Sequence, residues 1–534
     1  MNMQLADARR RWVGVLGESK VLSPEAAEAR YGGDTGGARR SLSGALLVED
    51  AAVLPDLVRI ARDCDVPLHP ISTGRNWGYG SALPVRDGCM VLDLSGMQKI
   101  VHFDAEMGVV TLEPGVTQGM LAEFLSRHGH PFLVPVTGAG PNCSLLGNAL
   151  ERGYGVTPHT DHFGAVTDLE AVLADGTVYR SALRELAGDE LARLFKWGIG
   201  PYLNGLFTQS GFGIVTRMSI VLAPRPESVK VCLFSLRDDS LLEPAVSSIR
   251  TILSRLPGTV GAINLMNQHR VLSMSAPFPR DRLGSDGLVP DPVIAEMGRQ
   301  YEVQAWTGFA TLYGTKRVVA AAQKEIRVAL RGIASRVLFL NSASARTLSR
   351  IARAIPGAPG RRLASTAATL TKSLELVNGQ PNETALPLAY WRHPELHDPA
   401  RPRHPARDGC GLLWYAPLVP MRPADARAYV QMVRDVTRRH GIEPLITFTT
   451  LNDRLFDSTV PLLFDRADPE ASAAALACYH ALVEAGHRHG WFPYRIGIDA
   501  LESLMPTPAG GASLSSRLRR TIDASDLLSP GRYH

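Results

Sequence analysis

Residues 70–81 read PISTGRNWGYGS and lie between two short apolar segments that are typical of β-strands. The loop holds three glycines in seven positions. Glycine permits unusual backbone conformations and lets a ligand approach the main chain closely. A phosphate group is the obvious ligand, yet the loop has neither the lysine of a P-loop nor the G-x-G-x-x-G of a Rossmann turn. It therefore predicts an anion-binding turn of another kind.

The composition is that of an ordinary globular protein. The chain has 534 residues, of which 45% are hydrophobic and 20% charged, with a formal net charge of +5. This length predicts two or more domains, and so mild a charge does not favour nucleic acid as a partner. The sequence shows neither an uncharged apolar stretch of membrane-spanning length nor the apolar core of a secretory signal. The six cysteines form no C-x-x-C pair, so we expect no metal site, reduced thiols and a cytoplasmic location.

The pattern of strand-like and helix-like segments in the sequence changes near residue 225. Up to that point, short strand-like and helix-like segments alternate, which predicts an α+β domain. The following part again combines strand-like segments such as VKVCLFSLRD with longer amphipathic helices. A basic segment rich in alanine and serine, near 344–374, predicts a solvated helix with a turn at Pro356 and Gly357, or alternatively a surface that faces a partner.

Four motifs follow one another along the chain. After the first loop come GAGPNCSLLGNALERGYGVTPHTDHFG at 138–164, GPYLNGLFTQSGFGIVTRMSIVLAP at 200–224 and GWFPYRIGIDALE at 490–502. In this order and at this spacing they resemble the vanillyl-alcohol oxidase and para-cresol methylhydroxylase family of flavoproteins. The resemblance extends over nearly the whole chain, including LYGTKR, LLWYAPLVP and the closing LLSPGR.

The resemblance implies an α+β fold with FAD as the cofactor. It implies a split FAD-binding domain of two α+β subdomains and an inserted α+β cap domain that carries an antiparallel sheet. We predict the FAD-binding domain at 1–225, completed by 488–534, and the cap or substrate domain at 226–487. The physical reading agrees, because backbone N–H groups of glycine-rich turns can bind the FAD pyrophosphate without lysines.

Three motifs and the closing segment supply the residues expected to bind FAD. The first loop would wrap the pyrophosphate with backbone donors, and LLGNALERG would line the other side with small residues. TQSGFGIVT would close around the ribityl and adenine portions. The expected contacts are Ser72, Thr73, Gly74, Arg75, Asn76, Gly78, Cys143, Ser144, Gly147, Asn148, Arg152, Gly155, Gly213, Ile214, Val215 and Arg532.

The resemblance also implies the catalytic residues. Tyr79 of the first loop and the pair Tyr494 and Arg495 would hold the oxygen of a phenol as its phenolate from two sides. Asp161 matches the family's aspartate near the reactive flavin nitrogen, where it would balance charge and assist as a base. A turn or helix cap is the structural alternative for Asp161. For His162 we expect a structural hydrogen bond.

The implied reaction is the oxidation of a small aromatic substrate. A hydride leaves the benzylic carbon para to the hydroxyl, and the resulting quinone methide gives an alcohol, an aldehyde or ketone, or an alkene. The electron acceptor is left open between oxygen and a redox protein, and a homodimer or larger homo-oligomer is expected. One alternative is flavin oxidation of a non-phenolic alcohol or natural-product scaffold, as in the berberine-bridge group. A non-catalytic protein that keeps the fold is the other alternative.

Two positions that depart from the family pattern concern the attachment of the flavin. Leu412 stands where the family has a histidine or tyrosine bonded to the flavin, and Cys410 would share its strand face. Cys143 has the spacing of the cysteine through which berberine-bridge enzymes attach flavin, but Asn76 replaces their histidine. Non-covalent FAD is therefore the first expectation, and a single thioether at Cys143 is the alternative.

Overall fold

The structure is a computed structural model that describes residues 3–505 and 513–533. Within these ranges the strands are β1 (Val21–Leu22), β2 (Gly44–Leu47), β3 (Leu68–Ile71), β4 (Met90–Asp93), β5 (Ile100–Asp104), β6 (Val109–Leu112), β7 (Phe132–Leu133), β8 (Val166–Val172), β9 (Val178–Arg180), β10 (Ile214–Val221), β11 (Ala223–Pro224), β12 (Ser228–Leu236), β13 (Val260–Asn267), β14 (Trp306–Gly314), β15 (Arg336–Leu340), β16 (Gly411–Tyr415), β17 (Pro417–Pro420), β18 (Thr447–Thr450), β19 (Leu455–Phe464) and β20 (Phe492–Pro493).

The helices connect these strands and cover their faces. Within the same ranges they are α1 (Met3–Leu16), α2 (Pro24–Tyr31), α3 (Leu54–Asp63), α4 (Gln118–Arg127), α5 (Leu145–Leu150), α6 (Ala182–Ala187), α7 (Asp189–Leu194), α8 (Leu242–Arg255), α9 (Gln268–Ser275), α10 (Asp291–Gln300), α11 (Lys316–Ala329), α12 (Ser342–Ala354), α13 (Gly357–Val377), α14 (Pro423–Arg439), α15 (Pro469–Arg488), α16 (Leu501–Leu504) and α17 (Leu514–Ile522). The basic segment near 344–374 thus falls in α12 and α13, which are separated at Pro356.

The first sheet has the strand order β1-β2-β4-β3, with β2 and β3 parallel to β4. Helix α3 connects the parallel strands β2 and β3, and its apolar residues recur at helical spacing on one face. Leu54, Leu57 and Val58 of that face are fully buried against the apolar side chains of the sheet. This packing sets the position of the loop that leaves the end of β3 at Ile71, which is the first of the four motifs.

The second sheet is antiparallel, with the order β5-β6-β10-β8-β9. All seven residues of β8 are buried, which shows that both faces of this strand are covered. The neighbouring strand β10 begins at Ile214, directly after the glycine-rich turn of the third motif. The second and third motifs therefore come together beside this sheet.

The third sheet has nine strands, in the order β15-β12-β14-β13-β18-β19-β17-β20, with β16 paired to β19. Its apolar face packs against α8, α11, α14 and α15 in the largest hydrophobic core. Ile263 and Leu265 of β13 belong to this core, whereas Asn264 and Met266 face a cavity on the other side. This alternation follows from the two-residue period of a strand and places polar side chains on one face of the sheet.

The C-terminal segment returns to the first sheet. The Leu68 N–H donates to the Leu527 carbonyl at 2.8 Å, and the Ser529 N–H donates to the Leu68 carbonyl at 2.7 Å. The nine-stranded sheet extends as far as β20, so the chain leaves this sheet after residue 493. The exact domain boundaries at 225 and 488 remain a prediction.

Three further observations concern the described residues as a set. In residues 3–505 and 513–533, no helix is both long and apolar enough to cross a membrane. In those same ranges, no group of three histidine, cysteine, aspartate or glutamate side chains is arranged to hold a metal ion. All six cysteines are buried as free thiols.

Candidate active site

A cavity of about 600 Å³ lies between the glycine-rich motifs and the polar face of the nine-stranded sheet. Its volume falls in the ordinary range for ligand and cofactor sites. Its walls include Tyr79, Tyr494 and Arg495 among the residues expected to be catalytic. Of the residues expected to bind FAD, the lining contains Ser72, Thr73, Gly74, Arg75, Asn76, Cys143, Ser144, Gly147, Asn148, Gly155, Gly213, Val215 and Arg532.

The first loop presents a row of unused backbone donors to this cavity. Its ends are fixed, because the Leu94 N–H donates to the Ile71 carbonyl and the Tyr79 and Ser81 N–H groups both donate to the Asn76 carbonyl. Between these ends, the backbone amides of residues 72–76 donate to no acceptor in the described part of the protein. Consecutive free amides form an anion-binding nest, so the loop fits the pyrophosphate of FAD.

The second motif packs directly against the first loop. Ser144 caps helix α5 by accepting the Gly147 N–H at 3.0 Å, and its hydroxyl donates to the Pro114 carbonyl at 2.7 Å. A Cβ at Gly147 would lie 2.3 Å from the Ser72 Oγ. Only glycine therefore allows the loop and the helix to approach closely enough to form one wall of the cavity.

Three polar atoms in the cavity wall also lack protein partners. The His69 Nδ1, the Trp77 Nε1 and the Ser81 Oγ are buried and form no hydrogen bond in the described residues. Burial lowers the pKa of His69 to about 3, so its imidazole is neutral. Buried polar groups are nearly always satisfied, and these atoms therefore indicate a polar ligand such as a dinucleotide.

Three of the expected FAD contacts do not line the cavity. Ile214 alternates with Gly213 and Val215 along the chain, and its side chain packs into the core behind β10. Arg152 is exposed and donates to the Thr208 hydroxyl at 2.9 Å. The side chains of Ile214 and Arg152 thus lie outside the cavity wall, and their contacts with FAD remain predictions.

Gly78 lies behind the cavity wall, where it supports the first loop. Its N–H donates to the Thr35 hydroxyl at 2.7 Å, and its carbonyl accepts the Trp414 N–H at 3.2 Å. A Cβ at Gly78 would lie 2.1 Å from Cδ1 of Trp414. Gly78 therefore lets the indole pack against the loop, and its contact with the cofactor remains a prediction.

For Asp161, the expected role near the reactive flavin nitrogen remains a prediction. Its side chain is exposed, lies outside the cavity lining and accepts the Gly164 N–H at 2.8 Å. Asp161 thus caps a turn, which is the structural alternative. The adjacent His162 is buried, and its Nδ1 accepts a hydrogen bond from the Asn148 amide at 2.5 Å. Burial lowers the pKa of His162 to about 4, so it is neutral and structural.

The first and fourth motifs meet at the Arg495 guanidinium. Its carbon lies 4.4 Å from the centre of the Tyr79 ring, its Nη2 donates to the Asn76 Oδ1, and its Nε lies 3.5 Å from Glu151 Oε2. Burial raises the pKa values of Tyr79 and Tyr494 above that of a free tyrosine, and the charge of Arg495 opposes both shifts. Both hydroxyls therefore stay protonated and can donate hydrogen bonds to an oxygen.

Asp457 is the buried carboxyl group of this cluster, and sequence reasoning did not assign it. It lies on β19 opposite Thr449 and lines the cavity, and its Oδ1 is buried without a partner in the described part of the chain. Burial raises the pKa of Asp457 to about 7, and Arg495 lowers it by a smaller amount. The available signal was a single acidic residue in the apolar strand LFDSTVPLLF.

Tyr154 was also missed, although the second motif contains it. Its ring packs edge to face on Tyr494, with 5.7 Å between ring centres, and it lines the cavity. Burial, together with the charges of Asp161 and Asp457, raises the pKa of Tyr154 to about 12. The cavity therefore has three neutral tyrosines near Arg495 and near two carboxyl groups, those of Asp457 and Glu151.

The positions discussed for covalent attachment differ in their access to the cavity. Leu412 and Trp414 alternate along β16 and line it, whereas Cys410 precedes the strand and does not. Cys143 lines the cavity, but burial raises the pKa of its thiol. Asn76 holds Arg495 and is therefore already used by the protein.

Taken together, the free amides, the unpaired polar atoms and the tyrosine cluster describe a dinucleotide site that continues into a substrate site. The FAD binding domain family matches residues 43–182. A 1'-carboxy-chondrochloren decarboxylase from Chondromyces crocatus is 33% identical over 521 residues, covering 97% of this chain and 95% of the relative. The flavoprotein subunit of a 4-cresol dehydrogenase [hydroxylating] from Pseudomonas putida is 28% identical, covering 89% and 84% of the two chains.

Solved structures have the same fold over the whole chain. The crystal structure of p-cresol methylhydroxylase with substrate bound matches with a TM-score of 0.86 and 26% identity, covering 100% of this chain and 97% of the other. A 4-ethylphenol oxidase from Gulosibacter chungangensis matches with a TM-score of 0.88 at 24% identity, with the same coverage. The protein belongs to the vanillyl-alcohol oxidase and para-cresol methylhydroxylase family. It is an FAD-dependent oxidoreductase.

Proposed function

We propose that the protein oxidises a para-substituted phenol at its benzylic carbon through a quinone methide. The observation that carries this proposal is the cluster of Tyr79, Tyr494 and Arg495 at a cavity that also contains the free amides of the first loop. The names of the 4-cresol dehydrogenase and 4-ethylphenol oxidase relatives support phenols as the substrate class.

The cluster stabilises the substrate as a phenolate. Two neutral tyrosine hydroxyls can donate to the phenol oxygen, and the Arg495 guanidinium supplies the balancing positive charge. Such groups act strongly because they are already oriented and lie in a site with little water. A phenolate has more electron density to release toward the para carbon than a neutral phenol has.

Asp457 receives the proton that the phenol releases. A general base works best when its pKa lies near the operating pH, and the pKa of Asp457 is about 7. FAD, when bound, accepts the hydride that leaves the benzylic carbon. The quinone methide then takes up water to give an alcohol, which a second oxidation converts to an aldehyde or ketone, or it loses a proton to give an alkene.

We further propose that FAD is held without a covalent bond. Leu412 offers no nucleophile, and burial disfavours the reactive thiolate of Cys143. If acid precipitation leaves the yellow flavin in the supernatant, attachment is non-covalent, whereas flavin in the pellet that Cys143→Ser releases would establish the thioether. Oxygen or a redox protein as electron acceptor and a homo-oligomeric state also remain proposals, which reoxidation kinetics and light scattering would test.

The proposed reaction is tested by mixing the oxidised holoenzyme with 4-alkylphenols without oxygen. We expect bleaching of the flavin absorbance, and a decrease in the rate of about 10- to 100-fold for Tyr494→Phe, since a hydrogen bond to a charged group contributes about 1.5–3 kcal/mol. Combining Tyr494→Phe with Arg495→Met should abolish phenol oxidation. Undiminished bleaching in the double variant would refute the phenolate mechanism.

A further inference from the structure

Arg270 enters the cavity from helix α9, directly after strand β13. Met274, one helical turn further on, also lines the cavity, so this face of α9 is turned toward it. Asn267 caps the start of this helix, because its buried side chain accepts the Arg270 N–H at 3.0 Å and donates to the Pro444 carbonyl at 2.7 Å. These bonds hold the base of the arginine side chain in place.

The Arg270 side chain is partly buried, and no anionic group of residues 3–505 and 513–533 pairs with it. Its Nε is buried without a partner in these ranges, and its Nη1 contacts the Ser273 hydroxyl at 3.4 Å. Burial lowers the pKa of Arg270 to about 10, and no neighbouring charge within 3–505 and 513–533 offsets that shift. The buried Asp457 experiences the charge of Arg495 and not that of Arg270. A partly buried cation without a counter-ion that lines a cavity is best accounted for by an anionic ligand in that cavity.

The cavity wall leads from the tyrosine cluster toward Arg270. Strands β13, β18 and β19 lie in register, and their side chains form two successive rows across the wall. The first row is Asn264, Thr449 and Asp457, and the second is Met266, Thr447 and Thr459. Such rows are about 7 Å apart, because a strand rises about 3.3 Å per residue. Along the chain, helix α9 comes directly after the strand that contributes Met266 to the second row. Arg270 therefore lies on the far side of the second row from Asp457.

We propose that the substrate side chain para to the phenol hydroxyl carries a carboxylate, and that Arg270 binds this carboxylate. The proposal rests on phenol oxidation as the function of the cavity and names the class of phenol that it takes. The guanidinium fork matches a carboxylate with two parallel N–H···O bonds. With the phenol oxygen at Arg495, the two arginines bind the two ends of one dianionic substrate, and the wall between them faces its side chain.

The test compares two phenols of similar size that differ in charge, namely 3-(4-hydroxyphenyl)propanoate and 4-propylphenol. The half-saturating concentration for anaerobic flavin reduction and the ligand-induced shift in melting temperature are measured for each with the holoenzyme. For Arg270→Gln we expect at least a 10-fold increase in half-saturating concentration for the propanoate, and less than a 2-fold change for 4-propylphenol. Arg270→Lys should recover part of the loss, and Arg250→Gln, at an exposed position, should behave as the wild type.

Equal losses for both phenols, or no loss for the propanoate, would overturn the assignment of Arg270. If 4-propylphenol reduces the flavin and Arg270→Gln leaves propanoate binding unchanged, phenol oxidation stands and the carboxylate proposal fails. If neither compound reduces the flavin, the proposal of phenol oxidation is wrong. The role of Arg270 is then judged from the melting-temperature shifts that the two compounds cause in the wild type and in Arg270→Gln. A propanoate-specific shift that Arg270→Gln removes would then still support the anion site.

Discussion

Asp457 has no partner for its Oδ1, and its pKa of about 7 makes its protonation state depend on pH near neutrality. If it serves as the base, it must be ionised before it can accept a proton. We therefore expect the rate of flavin reduction by a 4-alkylphenol to rise with pH, with an apparent pKa near 7. Asp457→Asn should lower the rate about 100-fold or more and remove this pH dependence. Stopped-flow absorbance between pH 5.5 and 9 measures both effects.

For the same carboxyl group, we expect the stability of the protein to change with pH in the direction opposite to the rate. Because its folded pKa lies above its ordinary value of about 3.9, the folded state binds the proton more tightly, and Asp457 destabilises the protein as pH rises from about 4 to about 7. Asp457→Asn should therefore raise the melting temperature more at pH 8 than at pH 5. The exposed Asp435→Asn serves as the control. A variant that is slow and also less stable at pH 8 would contradict this account of Asp457.

Gly78 of the first loop and Gly88, which lies outside it, have the same φ, but a side chain added at each would meet different surroundings. Gly78 and Gly88 both have φ of +80°, so an alanine at either position costs about 1 kcal/mol of backbone strain. Only at Gly78 would the new Cβ meet Trp414, at 2.1 Å, whereas nothing lies within 4 Å at Gly88. Gly78→Ala should therefore lower the melting temperature and the FAD content further than Gly88→Ala does. Equal effects would show that the contact with the indole is unimportant for the loop.

The C-terminal segment is joined to the FAD-binding motifs through the buried Arg519. This side chain donates to the carbonyls of Gly211 and Leu528 and forms an ion pair with Asp523 at 2.9 Å. Removing one partner of a buried ion pair costs about 3–5 kcal/mol, because the other charge remains buried. Arg519→Met should thus lower the melting temperature and release FAD, and the exposed Arg520→Met should do neither. Thermal unfolding and the ratio of flavin to protein absorbance would show the difference.

Local sequence motifs were sufficient to predict the cofactor and the family, because glycine-rich turns act mainly through their own backbone. The free amides of residues 72–76 lie within five consecutive positions, so a short motif is sufficient to predict them. Gly213 and Val215 line the cavity, whereas the side chain of the neighbouring Ile214 packs into the core, and the motif alone does not show this alternation of strand β10. Asp161 illustrates the same limit, since its motif matches while its side chain caps an exposed turn.

The sequence alone established an FAD-dependent oxidoreductase of this family and predicted Tyr79, Tyr494 and Arg495 as residues of the proposed phenol site. These residues belong to motifs that can be recognised from consecutive residues alone, without knowledge of which segments pack around them. Only the folded arrangement revealed Asp457 and Arg270, because each is an isolated charged residue in an ordinary strand or helix. Each has a buried polar atom, Oδ1 of Asp457 and Nε of Arg270, without a partner in residues 3–505 and 513–533. This environment is created by distant segments that the chain brings together only on folding.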